Sequence, residues 1–444
     1  MAIATDIAVI GAGPAGTATA IGLSRLGYRV TVLHRPRGYP AAEGLSARVR
    51  DGLHAAGCRN ALAAIGEPAR REATWNGETT GANQEFLVQR QRFDIALIED
   101  LKQAGIDPIH CRVEKVEQTG IVAKTESGDA LAVKASFVVD ARGRAAPAGK
   151  RRRIMGPPTT ALVQRWSGPP GPPRTCVASF ADGWAWFAAP GDGKSFLQIA
   201  LDSRPGVLPK RVALQEHFLH RIDEVPGARD WLADARIDGP VTARNATATM
   251  NRAPVEAGLL RVGDATLAVD PLSGHGMFQA LSTALAAPAV INTLLRRPQD
   301  TELAERFYRD RVTDMFYRFA RIGRDFYRLE SRWRDRAFWR DRAPWPDNRA
   351  AHAVAKAGQL TLARKPVIED GYIVERDVAV TPDYPLGVWR VAGIELAPVI
   401  RDLEREPQIG NALAARIAQR SGADDAAVRT VMDWLAFRGV IATG

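Results

Sequence analysis

The sequence predicts a mixed α/β (α+β) chain. A Rossmann-type dinucleotide-binding domain is interleaved with an antiparallel-sheet domain, and a helical region and a small winged-helix-like C-terminal domain follow. Three observations predict this: a strand–glycine turn–helix–strand unit at the start, strand-like alternation in the middle, and a second glycine-rich stretch, "VGDATLAVDPLSGHGM", about 250 residues beyond the first. At 444 residues the chain exceeds the size at which one core stops growing, so several units are expected. Their expected bounds are 1–150 with 245–300 for the dinucleotide domain, 151–244 for the antiparallel sheet joined by part of 60–90, 301–375 for the helical region and 376–444 for the last domain.

Composition is that of a globular protein, with 46% hydrophobic and 25% charged residues, which excludes a disordered or fibrous chain. The longest apolar runs are broken by glycine or charge, so no membrane-spanning segment is expected. "MAIATDIAVIGAGPAG" lacks a basic stretch before its apolar run and reads as a strand entering a loop, not a signal peptide. Three distant cysteines, Cys58, Cys111 and Cys176, fit neither a disulfide framework nor a metal cluster; the expected setting is the reducing cytoplasm. The net charge of +10 points either to nucleic acid, an anionic membrane or an acidic partner, or, with arginine far in excess of lysine and abundant alanine, to the bias of a GC-rich genome.

"DIAVIGAGPAGTATAIGLSRLGYRVTVLHR" is a βαβ unit. Gly11 permits the turn, Gly13 lets the backbone approach a pyrophosphate beside Ala15, and Gly16 allows close helix–strand packing; the helix starting near Pro14 offers its free N–H groups to the phosphate. Gly27 is placed to cap that helix. An acidic residue usually ends the second strand to hold the adenosine ribose, but His34 and Arg35 stand there, and His34 either binds the ribose or is a plain surface histidine.

NAD and FAD enzymes share this opening, so the second stretch decides. After the strand "GLLRV", Gly263 and Asp264 stand where an aspartate accepts a hydrogen bond from a ribityl hydroxyl. Pro271 stops the chain, Gly274, His275 and Gly276 let the backbone pass close to a flat ligand, and a helix begins near Met277. The stretch is no GxxxxGK[ST] phosphate loop.

With these residues the chain resembles the p-hydroxybenzoate hydroxylase-like FAD-dependent monooxygenases, which share the glutathione-reductase-type FAD-binding fold and carry a GD motif followed by DPxxGxG against the flavin. The resemblance implies further roles. "AAEGLSARVRDGLHAAG" lies at the family's GES-type loop, putting Glu43, Ser46 and Arg48 near the flavin; "FLVQRQRFDIAL" matches VxRxxFDxxL, whose arginine, here Arg90, reaches the pyrophosphate. "ASFVVDARGRAAP" stands at the DG or DATGR position with Asp140, Gly143 and Arg144 in place and Arg142 replacing a small residue. Asp140 with Arg144 as a strand-end ion pair is the alternative. The single GxGxxG implies no separate NADPH domain, so NAD(P)H is the expected donor either directly or through a reductase.

"TTALVQRW", "RTCVASFADGWAWFAAPGDGKSFLQIAL" and "GPVTARNATATM" alternate as antiparallel strands do, and Trp184, Trp186 and Phe187 are read as an aromatic wall for an aromatic substrate, against an ordinary half-buried strand. "WAWFAAP" also resembles the WxWxIP signature of flavin-dependent tryptophan halogenases, which need a lysine in the N-terminal region. This chain has none before Lys102.

Residues 301–342 show a helical stripe through Tyr308, Met315, Phe319, Ile322, Phe326, Leu329 and Trp333, with arginine–acid pairs elsewhere; nucleic acid is not the expected partner of such a helix. "RAPWPDNRA" breaks it, and after a helical linker "PVIRDLE", "GNALAARIAQRSG" and "DDAAVRTVMDWLAFRGVIAT" read as three short helices and a last strand. Leu413, Ile417, Val428, Val431 and Leu435 form their apolar faces, with Gly422 and Gly439 as caps. Such a module resembles those that capture precursor peptides; a DNA-binding winged helix, which would make the chain a flavin-bearing regulator, and a structural lid are the rivals.

A flavin cradle with this tail resembles the flavoprotein monooxygenases of tryptophylquinone biogenesis, above all those acting on the small cross-linked subunit of quinohemoprotein amine dehydrogenase. The resemblance implies O2-dependent hydroxylation, through a flavin C4a-hydroperoxide, of a tryptophan held in a protein or peptide. Pro271, Gly274 and His275 would shape the flavin face, His275 either moving a proton or simply packing the helix start. A small-molecule aromatic hydroxylase, a halogenase-like enzyme and an isoprenoid-type reductase are the alternatives.

Overall fold

The computed structural model describes residues 2–81, 83–117, 120–147, 152–353, 358–405 and 410–441. Two compact units emerge, one of residues 1–291 and 312–351, the other of residues 292–311 and 352–444.

In the first unit the strand Ala2–Ile10 lies parallel between Val30–His34 and Ala130–Asp140, and Leu259–Arg261 extends the same sheet beyond Asp140. Burial on both faces explains why these strands read as continuous apolar runs, Ile7 to Ile10 being almost fully enclosed. Gly120–Thr125 pairs antiparallel with both Ile109–Glu117 and Ala130–Asp140. Parallel register brings Ile10 beside Asp140 and Asp140 beside Arg261, so the carboxyl ends of three strands, with the turns that leave them, converge on one edge.

The middle segments form a larger sheet, in which Thr159–Ser167, Lys194–Asp202, Gly183–Ala189 and Arg174–Phe180 are neighbours, joined through Pro68–Trp75 and Glu85–Gln89 to Ala42–Leu45. Its two faces bury different cores. Phe180, Phe187 and Leu201 pack with the helix Leu214–Ile222, whereas Val177, Trp184 and Ala200 pack with Tyr327, Phe338 and Trp339.

Two helices carry the chain onward. Gly276–Arg296 has the length and apolarity of a membrane span, contrary to expectation from the sequence, but most of it is buried inside the protein, as a core helix is. In Thr301–Leu329 the aromatic stripe is shifted from its expected course. Tyr308, Met315 and Phe319 are buried, but Phe326 and Leu329 are exposed, and the buried line runs through Phe316, Ala320, Arg324 and Tyr327 instead. The expected stripe keeps the helix's own period, so it is the buried line that moves round the helix, stepping by four from Phe316 through Ala320 to Arg324.

The second unit corrects the helical linker expected before Asp377. Thr361–Glu369, Tyr372–Thr381 and Tyr384–Val388 form a three-stranded antiparallel sheet. Asp370 and Gly371, both with positive φ (49° and 75°), form the tight turn of its first hairpin. The three helices follow as Leu396–Arg405, Gly410–Ser421 and Asp425–Phe437. Their core contains Leu413, Ile417, Val428, Val431 and Leu435, and Gly422 and Gly439 adopt positive φ. The expected last strand is not formed at Val440 and Ile441; its remainder lies outside the described residues. The 292–311 segment belongs here: Thr293 accepts a hydrogen bond from the Ile373 N–H (2.8 Å), and the Arg297 guanidinium lies 3.6 Å over the Tyr372 ring. Leu435→Ala, at a fully buried position, is expected to cost this unit about 2–5 kcal/mol, read as an earlier transition in calorimetry.

Candidate functional site

At the first glycine turn, a Cβ on Gly11 would sit 2.4 Å from the Ala141 carbonyl oxygen and one on Gly16 would sit 1.8 Å from the Gly11 oxygen. Gly13 has nothing within 4 Å, so its space opens to the cleft where the helix Pro14–Arg25 begins. Ala15 packs against the second motif, since a Cβ on Gly263 would lie 2.8 Å from its own. The two distant stretches thus meet. His34 is half-buried, its ring 5.4 Å from that of His110, which is held by Glu126. Burial first, then His110, lowers the His34 pKa, leaving a neutral ring able to hydrogen-bond a hydroxyl, with Arg35 exposed beside it.

Arg90, at the start of the helix Arg90–Gln103, is buried and held between Asp94 (2.6 Å) and Glu43. Burial opposes its charge, but the two carboxylates outweigh burial and raise its pKa further. Ser46 caps the helix Ala47–Ala56 by position with no side-chain hydrogen bond, and Arg48 is exposed in its first turn. Asp140 does not pair with Arg144. It takes Arg142 (2.7 Å), the residue that replaces the family's small one, while Arg144 turns to Asp264 (3.4 Å) and to the carbonyls of Thr247 and Val269. Arg144 thereby ties the 263–270 turn to the link between the strands Thr242–Asn245 and Thr249–Asn251. Removal from bulk water raises the Asp264 carboxyl above its ordinary range, and Arg144 opposes the rise.

In the DPLSGHG loop, Asp270 Oδ1 accepts the Leu272 N–H (2.9 Å), starting the short turn Pro271–Ser273. Gly274 has φ +68°, and neither it nor Gly276 has anything within 4 Å of a Cβ position. Both are exposed, so bare backbone faces outward where the helix Gly276–Arg296 starts. His275 packs on Phe319 at 4.3 Å with Nδ1 against the Ser273 carbonyl, and Met277 is buried beneath. The Ser273 hydroxyl and both amide atoms of Gln279 are buried without a hydrogen-bond partner among the described residues, at the start of this helix. Buried polar atoms ordinarily find a partner, and a polar ligand at this helix start would supply one.

Trp184 and Trp186 share one sheet face, with Tyr327 and Trp339. Phe187 does not join them: period-2 alternation turns it to the opposite face, stacked on Trp231 at 5.7 Å. Two residues escaped sequence reasoning. The Tyr327 hydroxyl donates to Asp270 Oδ2 (3.0 Å) and accepts the Trp184 indole N–H (3.2 Å), joining the loop to the aromatic face across 57 residues of chain. Only the DP motif signalled Asp270, and nothing local marks Tyr327.

The open Gly13, Gly274 and Gly276 backbones, the half-buried Asp264, the poised Arg90 and the orphaned polar atoms fit FAD, which supplies redox chemistry when bound. Arg90→Gln is expected to weaken FAD binding about tenfold to a hundredfold, measured by flavin fluorescence titration.

Comparison with known proteins agrees. Residues 4–191 match the FAD binding domain family. The solved peptidyl tryptophan dihydroxylase QhpG, essential for tryptophylquinone cofactor biogenesis, is 43% identical, with a TM-score of 0.81, the alignment covering 98% of this chain and 99% of that one. A tryptophan 2-halogenase of Chondromyces crocatus is 26% identical over 74% of this chain and 69% of its own. The halogenase CmlS, 16% identical, shares the fold over 98% of this chain and 95% of that one with a TM-score of 0.74. On a cradle of this geometry and a relative matched along its whole length, the chain belongs to the p-hydroxybenzoate hydroxylase-like FAD-dependent monooxygenases.

Proposed function

We propose that this chain hydroxylates a tryptophan held within a precursor peptide or protein subunit, in tryptophylquinone biogenesis. The observation that carries this reading is the 43% identity to the peptidyl tryptophan dihydroxylase over 98% of the chain, the second unit included; the Chondromyces halogenase aligns with only 74%. The small cross-linked subunit of an amine dehydrogenase is the proposed substrate, O2 the co-substrate and NAD(P)H, direct or through a reductase, the source of electrons. Three buried, unpaired cysteines suit a reducing compartment, and we place the reaction in the cytoplasm before export.

When bound and reduced, FAD supplies the oxygen-transfer chemistry. Asp264 would hold the ribityl chain, Arg90 the pyrophosphate, and His34 the adenosine ribose. Pro271, Gly274 and His275 would set the flavin face, and the bare glycine backbone lets a flat ring system sit against the helix start. Trp186 would flank the substrate indole with the buried Trp184 backing it, and their apolar face keeps out water, which would otherwise divert the oxygen to hydrogen peroxide. Halogenation finds less support, because Lys102, the first lysine, sits exposed on its helix, paired with Glu99.

The deciding experiment reduces the flavin-loaded protein anaerobically and mixes it with oxygen, with and without the cross-linked peptide subunit. Transfer of one oxygen atom to a tryptophan per reduced flavin, and of a second to the same residue once the flavin is reduced again, read by tandem mass spectrometry, is expected. Peroxide formation with the peptide unchanged would discard this substrate in favour of a small aromatic.

A further inference from the structure

Beyond the loop, the aromatic side chains of the first unit are not merely clustered but ordered into a chain. Tyr327 is 3% exposed and hydrogen-bonded to Asp270 of the flavin loop. The ring of Trp339, 1% exposed, lies 5.9 Å from that of Tyr327 and 5.5 Å from that of Trp75. Trp75 is half-buried at the surface, its indole N–H donating to the Phe326 carbonyl (3.1 Å). A side branch leads to Trp333, 6.1 Å from Trp339.

We propose that Tyr327, Trp339 and Trp75 conduct an oxidising equivalent from the flavin loop to the protein surface, an activity additional to hydroxylation that rests on the flavin reading of the loop. The physical case begins at Tyr327. The Arg342 guanidinium, 5.9 Å from the Tyr327 ring centre, disfavours a positively charged phenol, so oxidation has to release the phenolic proton. Asp270 is the acceptor already hydrogen-bonded to it, in a buried site where such a bond is strengthened. At the other end the Arg332 guanidinium lies 3.9 Å over the Trp333 ring and disfavours a cation there, whereas the Trp75 N–H faces a carbonyl oxygen. Trp75 is therefore the exit.

The steps balance. Tyr327 gives one electron to a one-electron oxidant in the flavin cleft, such as a photoexcited oxidised isoalloxazine, and its phenolic proton to Asp270. Trp339 gives one electron to Tyr327, which recovers its proton from Asp270. Trp75 gives one electron to Trp339, and a soluble thiol returns an electron to Trp75, releasing a proton and leaving a thiyl radical; two thiyl radicals from two such passages couple to a disulfide.

The test is a blue-light pulse on the flavin-loaded protein without oxygen or substrate, followed by transient absorbance. Flavin uptake is checked first by visible absorbance; a chain that takes up none overturns the site itself. In the loaded wild type a tyrosyl signal, slowed in deuterated water, is expected to give way to a tryptophan radical. Trp339→Phe and Trp75→Phe should each shorten the lifetime of the separated charge about tenfold or more, while Trp333→Phe leaves it unchanged. Trp75 is half-buried, so its variant keeps the test open even if Trp339→Phe fails to fold, as checked by circular dichroism. Equal lifetimes in the wild type and in the folded Trp75→Phe and Trp339→Phe variants would overturn the path while leaving the flavin site standing.

Discussion

Gly16→Val is expected to yield a protein without flavin and with its first unit destabilised by about 3 kcal/mol or more. The reason is the 1.8 Å between the Gly16 Cβ position and the Gly11 carbonyl oxygen, with the Ala141 Cβ 3.1 Å from the same position. Backbone oxygen cannot rotate aside as a side chain does, so the helix Pro14–Arg25 has to leave the strand it packs on. Gly13→Ala separates the two effects. Its Cβ meets nothing and its φ of −77° suits any residue, so the fold should keep its stability within about 0.5 kcal/mol. The added methyl group would intrude on the space assigned to pyrophosphate, lowering flavin affinity at least about tenfold, or ~1.4 kcal/mol. Thermal melts of the flavin-free proteins and fluorescence titrations with FAD read the two terms apart. A Gly13→Ala protein that binds FAD like the wild type would move the pyrophosphate away from this turn.

What was legible in the sequence was chemistry carried by short stretches. Gly16 is glycine because of a contact inside its own turn, Gly11 because of its positive φ and the Ala141 carbonyl against it, and Gly13, Gly263, Gly274 and Gly276 because of positive φ or open backbone, so motif spacing found them all. Side-chain partnership was not legible. Arg142 and Arg144 are both arginines near Asp140, and only the register that sets Asp140 beside Arg261 and brings Asp264 within reach of Arg144 decides which pairs with which. Phe187 was joined to Trp184 and Trp186 by adjacency, although alternation alone turns it away. The hairpin at Asp370–Gly371 carried its own signal, a two-residue Asp-Gly turn between β-branched runs, which helix-like flanks obscured. Tyr327 had no such signal: its partners, Asp270 and Trp184, are 57 and 143 residues away.

Glu330→Ala is expected to destabilise the first unit by about 3 kcal/mol, because it removes one acceptor from several donors at once. The Glu330 side chain is fully buried and accepts from the Ser179 hydroxyl (2.6 Å), the Asn76 N–H (2.9 Å), and the N–H and guanidinium of Arg332. It thus joins the turn after one strand, the end of another and the end of the Thr301–Leu329 helix. Burial alone would raise its pKa, but Arg332, Ser179 and the two backbone N–H groups outweigh burial and hold the carboxyl below its ordinary value of 4.5. A depressed folded-state pKa means that this stabilisation is fully present above the unfolded value and is lost as pH falls through the lower, folded one. Wild-type stability should therefore drop on acidification below about pH 4.5, and Glu330→Ala should lose that part of the acid dependence. Glu330→Gln separates charge from shape: it keeps the volume but offers an amide N–H to donors that already fill the site, so it should be destabilised nearly as much as the alanine variant. Urea unfolding followed by tryptophan fluorescence, at neutral pH and across the acid range, measures both. An acid limb identical in wild type and Glu330→Ala would assign the pH dependence to another carboxylate, whatever the loss at neutral pH.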